Sequence, residues 1–177
     1  MKGMVFTEFL EMVETRFSPD MVDDIIEDAD LPSGGAYTSV GTYDHSELVS
    51  MVGALSKRTE IPTTTLVHVF GEHMFGRFHV LYPSFFQGVG NAMDFLEGIE
   101  KVIHTEVIKL YPDAQLPSFD CTRSPDGLQM IYSSPRHFGD LAAGLIQGAI
   151  AHFDEPIQVE RTDMPSGKVV FDLRKLG

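Results

Sequence analysis

The chain has no tryptophan, a single cysteine and half as many basic residues as acidic ones, 13 against 26. The last two shortages each remove a class of function. One cysteine, Cys121, excludes an intramolecular disulfide and any cysteine-built zinc or iron-sulfur centre. A formal net charge of −13 argues against binding a phosphate backbone, because displacing its counterions takes a basic surface. It disfavours an anionic membrane surface for the same reason. No apolar run is long enough to span a bilayer. The opening residues, where Lys2, Glu8 and Glu11 interrupt the apolar ones, lack the core of a secretion signal. The expected location is the cytoplasm, and the expected partners include neither nucleic acid nor membrane.

What is present, 43% hydrophobic and 22% charged residues over 177 positions, suits one globular domain or one domain of two lobes. Val5, Phe6, Phe9, Leu10, Met12, Val13 and Phe17 recur at helical spacing, so residues 4–17 read as an amphipathic helix. Ser18-Pro19 stops it and opens a second helix carrying Met21, Val22, Ile25 and Ile26. The acidic set Asp20, Asp23, Asp24, Glu27, Asp28 and Asp30 reads as a solvated face of that helix. Residues 30–43, with Pro32-Ser33-Gly34-Gly35, read as loop. Asp44-x-x-Glu47 resembles a capping box at the head of a third helix, and residues 63–78 supply a fourth.

Asn91 is placed to cap a long helix running to about Tyr111, with Met93, Leu96, Ile99, Ile103, Val107 and Ile108 packed inward. Phe119 and Cys121 alternate as in a strand, and Ser124-Pro125-Asp126-Gly127 is a turn. The series Leu128, Met130, Tyr132, Ser134, Arg136 then returns antiparallel. A helix over about 138–153 carries Gly144 and Gly148 one turn apart, a spacing that suits either a close helix crossing or a flat ligand. A second hairpin about Met164-Pro165-Ser166-Gly167 closes the chain. The fold class is α+β, helices first and then a small antiparallel sheet flanked by helices.

Spacing disposes of most of the seven histidines as metal ligands. His68, His73 and His79 are five and six residues apart, whereas three or four bring two imidazoles together on a helix. His45, His137 and His152 have no evident partner. His104 differs, lying on or beside the apolar face of the long helix. Alone it reads as an ordinary core or surface histidine. If the strand continues, Tyr132, Ser134 and Arg136 share one face and present a phenol, a hydroxyl and a guanidinium, a set suited to carboxylate oxygens. Without context they read equally well as a solvated strand face.

The combination of His104, Pro117 thirteen residues later and Tyr132-Ser133-Ser134-Pro135-Arg136 resembles the H-NOX family, the haem nitric oxide/oxygen binding domains. The likeness extends from Met1-Lys2-Gly3-Met4-Val5-Phe6 through Phe78, Tyr82-Pro83-Ser84-Phe85-Phe86 and Gly144-Leu145-Ile146-Gln147-Gly148. It implies one domain over 1–177, a helical distal lobe of about 1–60, an α/β proximal lobe of about 61–177, and haem between them. Without a Cys-x-x-Cys-His attachment, that haem is a non-covalent haem b. His104 would ligate ferrous iron, Tyr132, Ser134 and Arg136 would bind its propionates, and Pro117 would press on the porphyrin.

The resemblance also orients the opposite face. Oxygen-binding members carry a distal tyrosine five residues after the motif arginine, where this chain has Leu141, and a distal asparagine and tryptophan that align with Met74 and Phe9. A wall of Val5, Phe9, Met74, Phe78, Leu141 and Leu145 offers bound oxygen no donor, so the implied ligands are nitric oxide and carbon monoxide. The same six residues also read simply as core. The implied partner is a histidine kinase or a cyclic-di-GMP enzyme. Two other readings stand beside this one: a peroxidase-type haem enzyme, and a binder of an apolar carboxylate such as a fatty acid. The reading as a non-enzymatic sensor is preferred because no polar acid-base group or activated nucleophile is evident.

Overall fold

Apolar residues at helical spacing form α1 (Gly3–Arg16) and α2 (Pro19–Ala29), which meet at the expected Ser18-Pro19 break. In the computed structural model, which describes residues 1–176, the Ser18 hydroxyl accepts from the Met21 N–H at 3.1 Å and Pro19 occupies the first helical turn. The acidic face of α2 is only partly solvated. Arg58 of α3 (His45–Thr59) reaches across to Asp24 and Asp28, each at 2.6 Å.

Asp44 caps α3 by accepting from the Ser46 N–H at 2.8 Å, but the expected capping box does not form. Glu47 turns inward instead. The residue is 6% exposed, and its carboxylate accepts from the Ser33 hydroxyl and, at 2.8 Å, from the Tyr37 hydroxyl. A buried carboxylate is costly without donors, and these two offset the cost while pinning loop 30–43 against α3. Burial pushes the Tyr37 phenol up to about 12, and the nearby Glu47 adds to the effect.

Helix α4 (Thr63–Leu81) runs one turn beyond the expected end. Buried Glu8 of α1 ties the two helices together by accepting from Arg77 Nε at 2.7 Å. Against the other side of α4 lies α7 (Gly139–Phe153). A Cβ added at Gly144 would stand 2.0 Å from the His68 carbonyl oxygen, and one at Gly71 would stand 2.5 Å from that of Leu141. The small residues of α7 therefore serve a helix crossing, not a flat ligand, which resolves the two readings open for that spacing.

The helix expected over 91–111 is interrupted. Asn91 caps α5 (Ala92–Glu97) by accepting from the Asp94 N–H at 2.9 Å, but a π-helical turn (Ile99–Ile103) follows before α6 (His104–Leu110). The wider turn changes the facing of what comes after it. Met93 and Leu96 are buried and Ile99 and Ile103 half-buried, whereas Ile108, expected inside, is 41% exposed.

Strands β1 (Ser118–Ser124), β2 (Gly127–Ser133), β3 (Ile157–Asp163) and β4 (Val169–Lys175) form one antiparallel sheet in the order β1-β2-β4-β3. Both hairpins fall at the expected turns, and Phe119 pairs with Tyr132 across β1 and β2. Leu128, Met130 and Tyr132 of β2 with Val169, Phe171 and Leu173 of β4 face α5 and α7 to make one core. A second core gathers Phe6, Phe9, Met12 and Val13 with α3 and with Leu66, Phe70 and Met74 of α4. Helix α4 serves both, since Phe75 belongs to the sheet-side core, and Leu145 packs against each.

Candidate functional site

His104 opens α6 directly after the π turn, with its side chain only 15% exposed. Its Nδ1 lies 3.1 Å from Glu100 Oε2, one helical step back, which leaves Nε2 as the nitrogen free to act as a donor. The same Glu100 oxygen accepts from the Phe119 N–H at 3.0 Å. Burial pushes the His104 imidazole below its ordinary value, with Glu100 opposing. Phe119 sits between the two halves of the candidate site, its ring centre 6.0 Å from that of His104 and 5.5 Å from that of Tyr132.

Tyr132 is buried on β2, but the strand does not continue to Arg136 as expected. It ends at Ser133. Pro135 has no N–H to offer the ladder, and the Ser134 hydroxyl accepts from the Arg136 N–H at 3.2 Å, closing a turn instead. His137, at φ 53°, completes the reversal. The argument that alternate residues share one strand face therefore fails for Ser134 and Arg136. The turn nonetheless keeps the three together: burial pushes the Tyr132 phenol up, and Ser134 and Arg136 lie close enough to oppose the shift.

Arg136 is anchored from an unexpected quarter. Its guanidinium donates to the Gln115 main-chain oxygen at 2.8 Å and to the Gln115 side-chain oxygen at 2.9 Å. Arg58, Arg77, Arg123 and Arg161 are all paired with carboxylates, whereas both of Arg136's acceptors are neutral. The Met1 ammonium, bonded to the Tyr43 carbonyl oxygen at 2.7 Å, lies near enough that, after burial, Arg136 is the next cause holding its pKa down. Asp44 and Asp113 oppose that effect at the ammonium, while the guanidinium itself has no anion bonded to it. Pro117 is half-buried in the segment joining Gln115 to β1.

The six residues expected on the other face come together. Phe9 and Met74 are buried in the N-terminal core, and Val5, Phe78, Leu141 and Leu145 pack against it half-buried. Phe9 meets Phe70 edge to face at 5.3 Å. Leu141 also borders a cleft of about 260 Å³ shared with Leu48, Val52, Val67 and Phe70. Elsewhere, burial pushes the Cys121 thiol up to about 11, making it a poor nucleophile at neutral pH. Among the described residues, no group of three or more His, Cys, Asp or Glu side chains is arranged to hold a metal ion. A single-histidine site is a different arrangement. Glu100 and Gln115 were not singled out from the sequence, and Phe119 was read there only as a strand residue. The spacing of Glu100 four residues before His104 was a legible signal, while nothing local marks Gln115 as the partner of Arg136.

A family model described as haem-NO-binding matches residues 2–161. The chain belongs to the H-NOX family. An unliganded Fe(II) H-NOX protein from K. algicida is 36% identical, superimposes with a TM-score of 0.93, and the match covers 100% of this chain and 97% of that one. An S. oneidensis H-NOX protein in the Fe(II)NO state is 27% identical with a TM-score of 0.93 and full coverage of both chains. An IWP-051-bound H-NOX from Shewanella woodyi in the Fe(II)CO state is 37% identical with a TM-score of 0.84, covering 99% and 95% of the two chains. This H-NOX chain thus has the haem-binding gas-sensor fold of its family, and its mixed architecture with a four-stranded antiparallel sheet is theirs. No helix among the described residues is long and apolar enough to cross a membrane.

Proposed function

We propose that this H-NOX chain is a cytoplasmic sensor of nitric oxide that carries non-covalent haem b, binds carbon monoxide as a second ligand, performs no catalysis itself and signals to a separate protein. Ferrous haem, when bound, supplies the coordination position that a diatomic gas takes. The chain's own residues do the rest. His104 would hold the iron through Nε2, Tyr132, Ser134 and Arg136 would bind the propionates, and Pro117 would press on the porphyrin. The fit rests on geometry already described: a mostly buried imidazole with one nitrogen engaged and one free, and a guanidinium whose only bonded acceptors are the neutral oxygens of Gln115.

The observation that carries selectivity is the makeup of the opposite wall. Val5, Phe9, Met74, Phe78, Leu141 and Leu145 share one core, and none has a hydrogen-bond donor on its side chain. A wall without donors would favour nitric oxide, which needs no hydrogen bond to be held, over oxygen, which would call for one. The same composition counts against a peroxidase, which needs distal acid-base groups.

Signal transmission begins at His104. Gas binding at the iron would loosen the hold of His104, and its loss would free residues 92–110 to shift against the sheet, giving the surface two ligand-dependent states. Output passes in trans to a histidine kinase or a cyclic-di-GMP enzyme. The deciding experiment is His104→Gly expressed in haem-sufficient cells. The variant is expected to lose haem or to regain it, with a near wild-type ferrous absorption spectrum, only on addition of imidazole. A wild-type spectrum without imidazole would remove His104 from the axial position.

A further inference from the structure

Glu100 is left without a role by the reading above, yet its placement is specific. One of its oxygens, Oε2, meets both His104 Nδ1 at 3.1 Å and the Phe119 N–H at 3.0 Å. Strand β1 is an edge of the sheet, with β2 as its one neighbour, so donors on its outer side have no strand to bond. The Phe119 N–H is bonded by a carboxylate from the π turn instead. That bond fixes Glu100 to a frame that does not belong to the His104 helix, and it defines which way the second lone pair of Oε2 is aimed. The π turn contributes in turn, since Glu100 lies within it and His104 immediately follows it.

We propose that Glu100 is a positioning residue for His104: it fixes the ring's orientation and tautomer and, by accepting the Nδ1 proton in a charge-assisted bond, makes Nε2 a stronger donor to the iron. The inference rests on His104 being the axial ligand. A carboxylate behind a metal-bound imidazole raises ligand basicity, and loss of such a partner typically weakens the metal bond 10-fold to 100-fold. Glu100's side chain is 44% exposed, so the low end applies. In a sensor that works by letting His104 go, Glu100 opposes release and so sets how readily nitric oxide triggers it. The same carboxylate links that release to the sheet, because a shift of the helix that carries Glu100 must break its bond to β1.

The test uses ferrous, haem-loaded protein and three variants. Glu100→Gln keeps an acceptor but removes the charge, Glu100→Ala removes both, and Glu106→Gln makes the same charge change on α6 at a residue bonded to Lys109 instead of His104. The iron-histidine stretching frequency in the resonance Raman spectrum is expected to fall in the order wild type, Glu100→Gln, Glu100→Ala, with Glu106→Gln unchanged. The rate of His104 release after mixing with nitric oxide should rise about 10-fold in Glu100→Ala. Should Glu100→Ala fail to fold, the isosteric Glu100→Gln decides alone. An unshifted stretch in Glu100→Gln, or an equal shift in Glu106→Gln, overturns the proposal. That outcome is distinct from failure of the ligand assignment, which would appear as His104→Gly retaining the wild-type spectrum.

Discussion

Replacing Gly144 by alanine adds a single methyl group to α7, and the structure says where it would go. It would stand 2.0 Å from the His68 carbonyl oxygen and 2.9 Å from the Gly71 Cα, both backbone atoms of α4. No rotamer change relieves a clash with backbone, so the two helices must separate. Overpacking of this kind costs about 1–3 kcal/mol, and a contact this short belongs at the upper end. The better helix propensity of alanine offsets about 0.5–1 kcal/mol of that. The net loss of about 2 kcal/mol corresponds to a fall in Tm of roughly 4–8 °C for a domain of this size. Gly76→Ala on α4 is the matched control, because a Cβ there meets nothing within 4 Å. It should gain about 0.5–1 kcal/mol by the same propensity effect. Thermal unfolding followed by circular dichroism, at equal haem occupancy so that ligand binding contributes equally, reads both. A Gly144→Ala protein melting at or above wild type would refute the close crossing. The result bears on function as well as stability, since Leu141 and Leu145 on α7 are carried by the same crossing that sets their distance from Met74 on α4.

Arg136→Ala should reduce haem retention more than Ser134→Ala, because a charge-assisted hydrogen bond contributes about 1.5–3 kcal/mol against roughly 1 kcal/mol for a neutral one. Equal haem occupancy in the two purified variants would count against Arg136 as the principal propionate partner. Wild-type ferrous protein should hold nitric oxide and carbon monoxide but form no stable oxygen complex in air. Leu141→Tyr should gain partial oxygen binding, since one satisfied donor in a dry pocket is worth roughly 1 kcal/mol, while Met74 and Phe9 give the new hydroxyl nothing to orient it. Stable oxygen binding by the wild type would remove the apolar wall as the basis of selectivity.

The elements that could be read from the chain are those governed by neighbours in sequence. Apolar periodicity placed α1 to α4 and α7, Ser18 and Asn91 capped the helices they precede, and the turns at Ser124-Pro125-Asp126-Gly127 and Met164-Pro165-Ser166-Gly167 set both hairpins. The coexistence of His104, Pro117 and the Tyr132, Ser134, Arg136 triplet marked the family, because that signal lies in residue identity and order and needs no geometry.

Partners distant in the chain decided the rest. Glu47 left its capping box because Ser33 and Tyr37 offered a buried carboxylate two donors that the helix terminus could not match. Gly144 could have served a ligand or a helix until the His68 carbonyl filled the space beside it. The strand through Tyr132 stopped at Ser133 once Pro135 withheld a donor and the Ser134 hydroxyl took the next N–H, and Arg136 was then held by Gln115, 21 residues away. The π turn before His104 changed which side of the following helix is buried, leaving Ile108 exposed and setting Glu100 between His104 and the sheet edge. Sequence alone determined the residue identities that mark the family and the order of the elements that carry them. Tertiary structure decided how each is oriented, because a hydrogen bond or a steric contact between remote segments outweighs a local preference of about 1 kcal/mol.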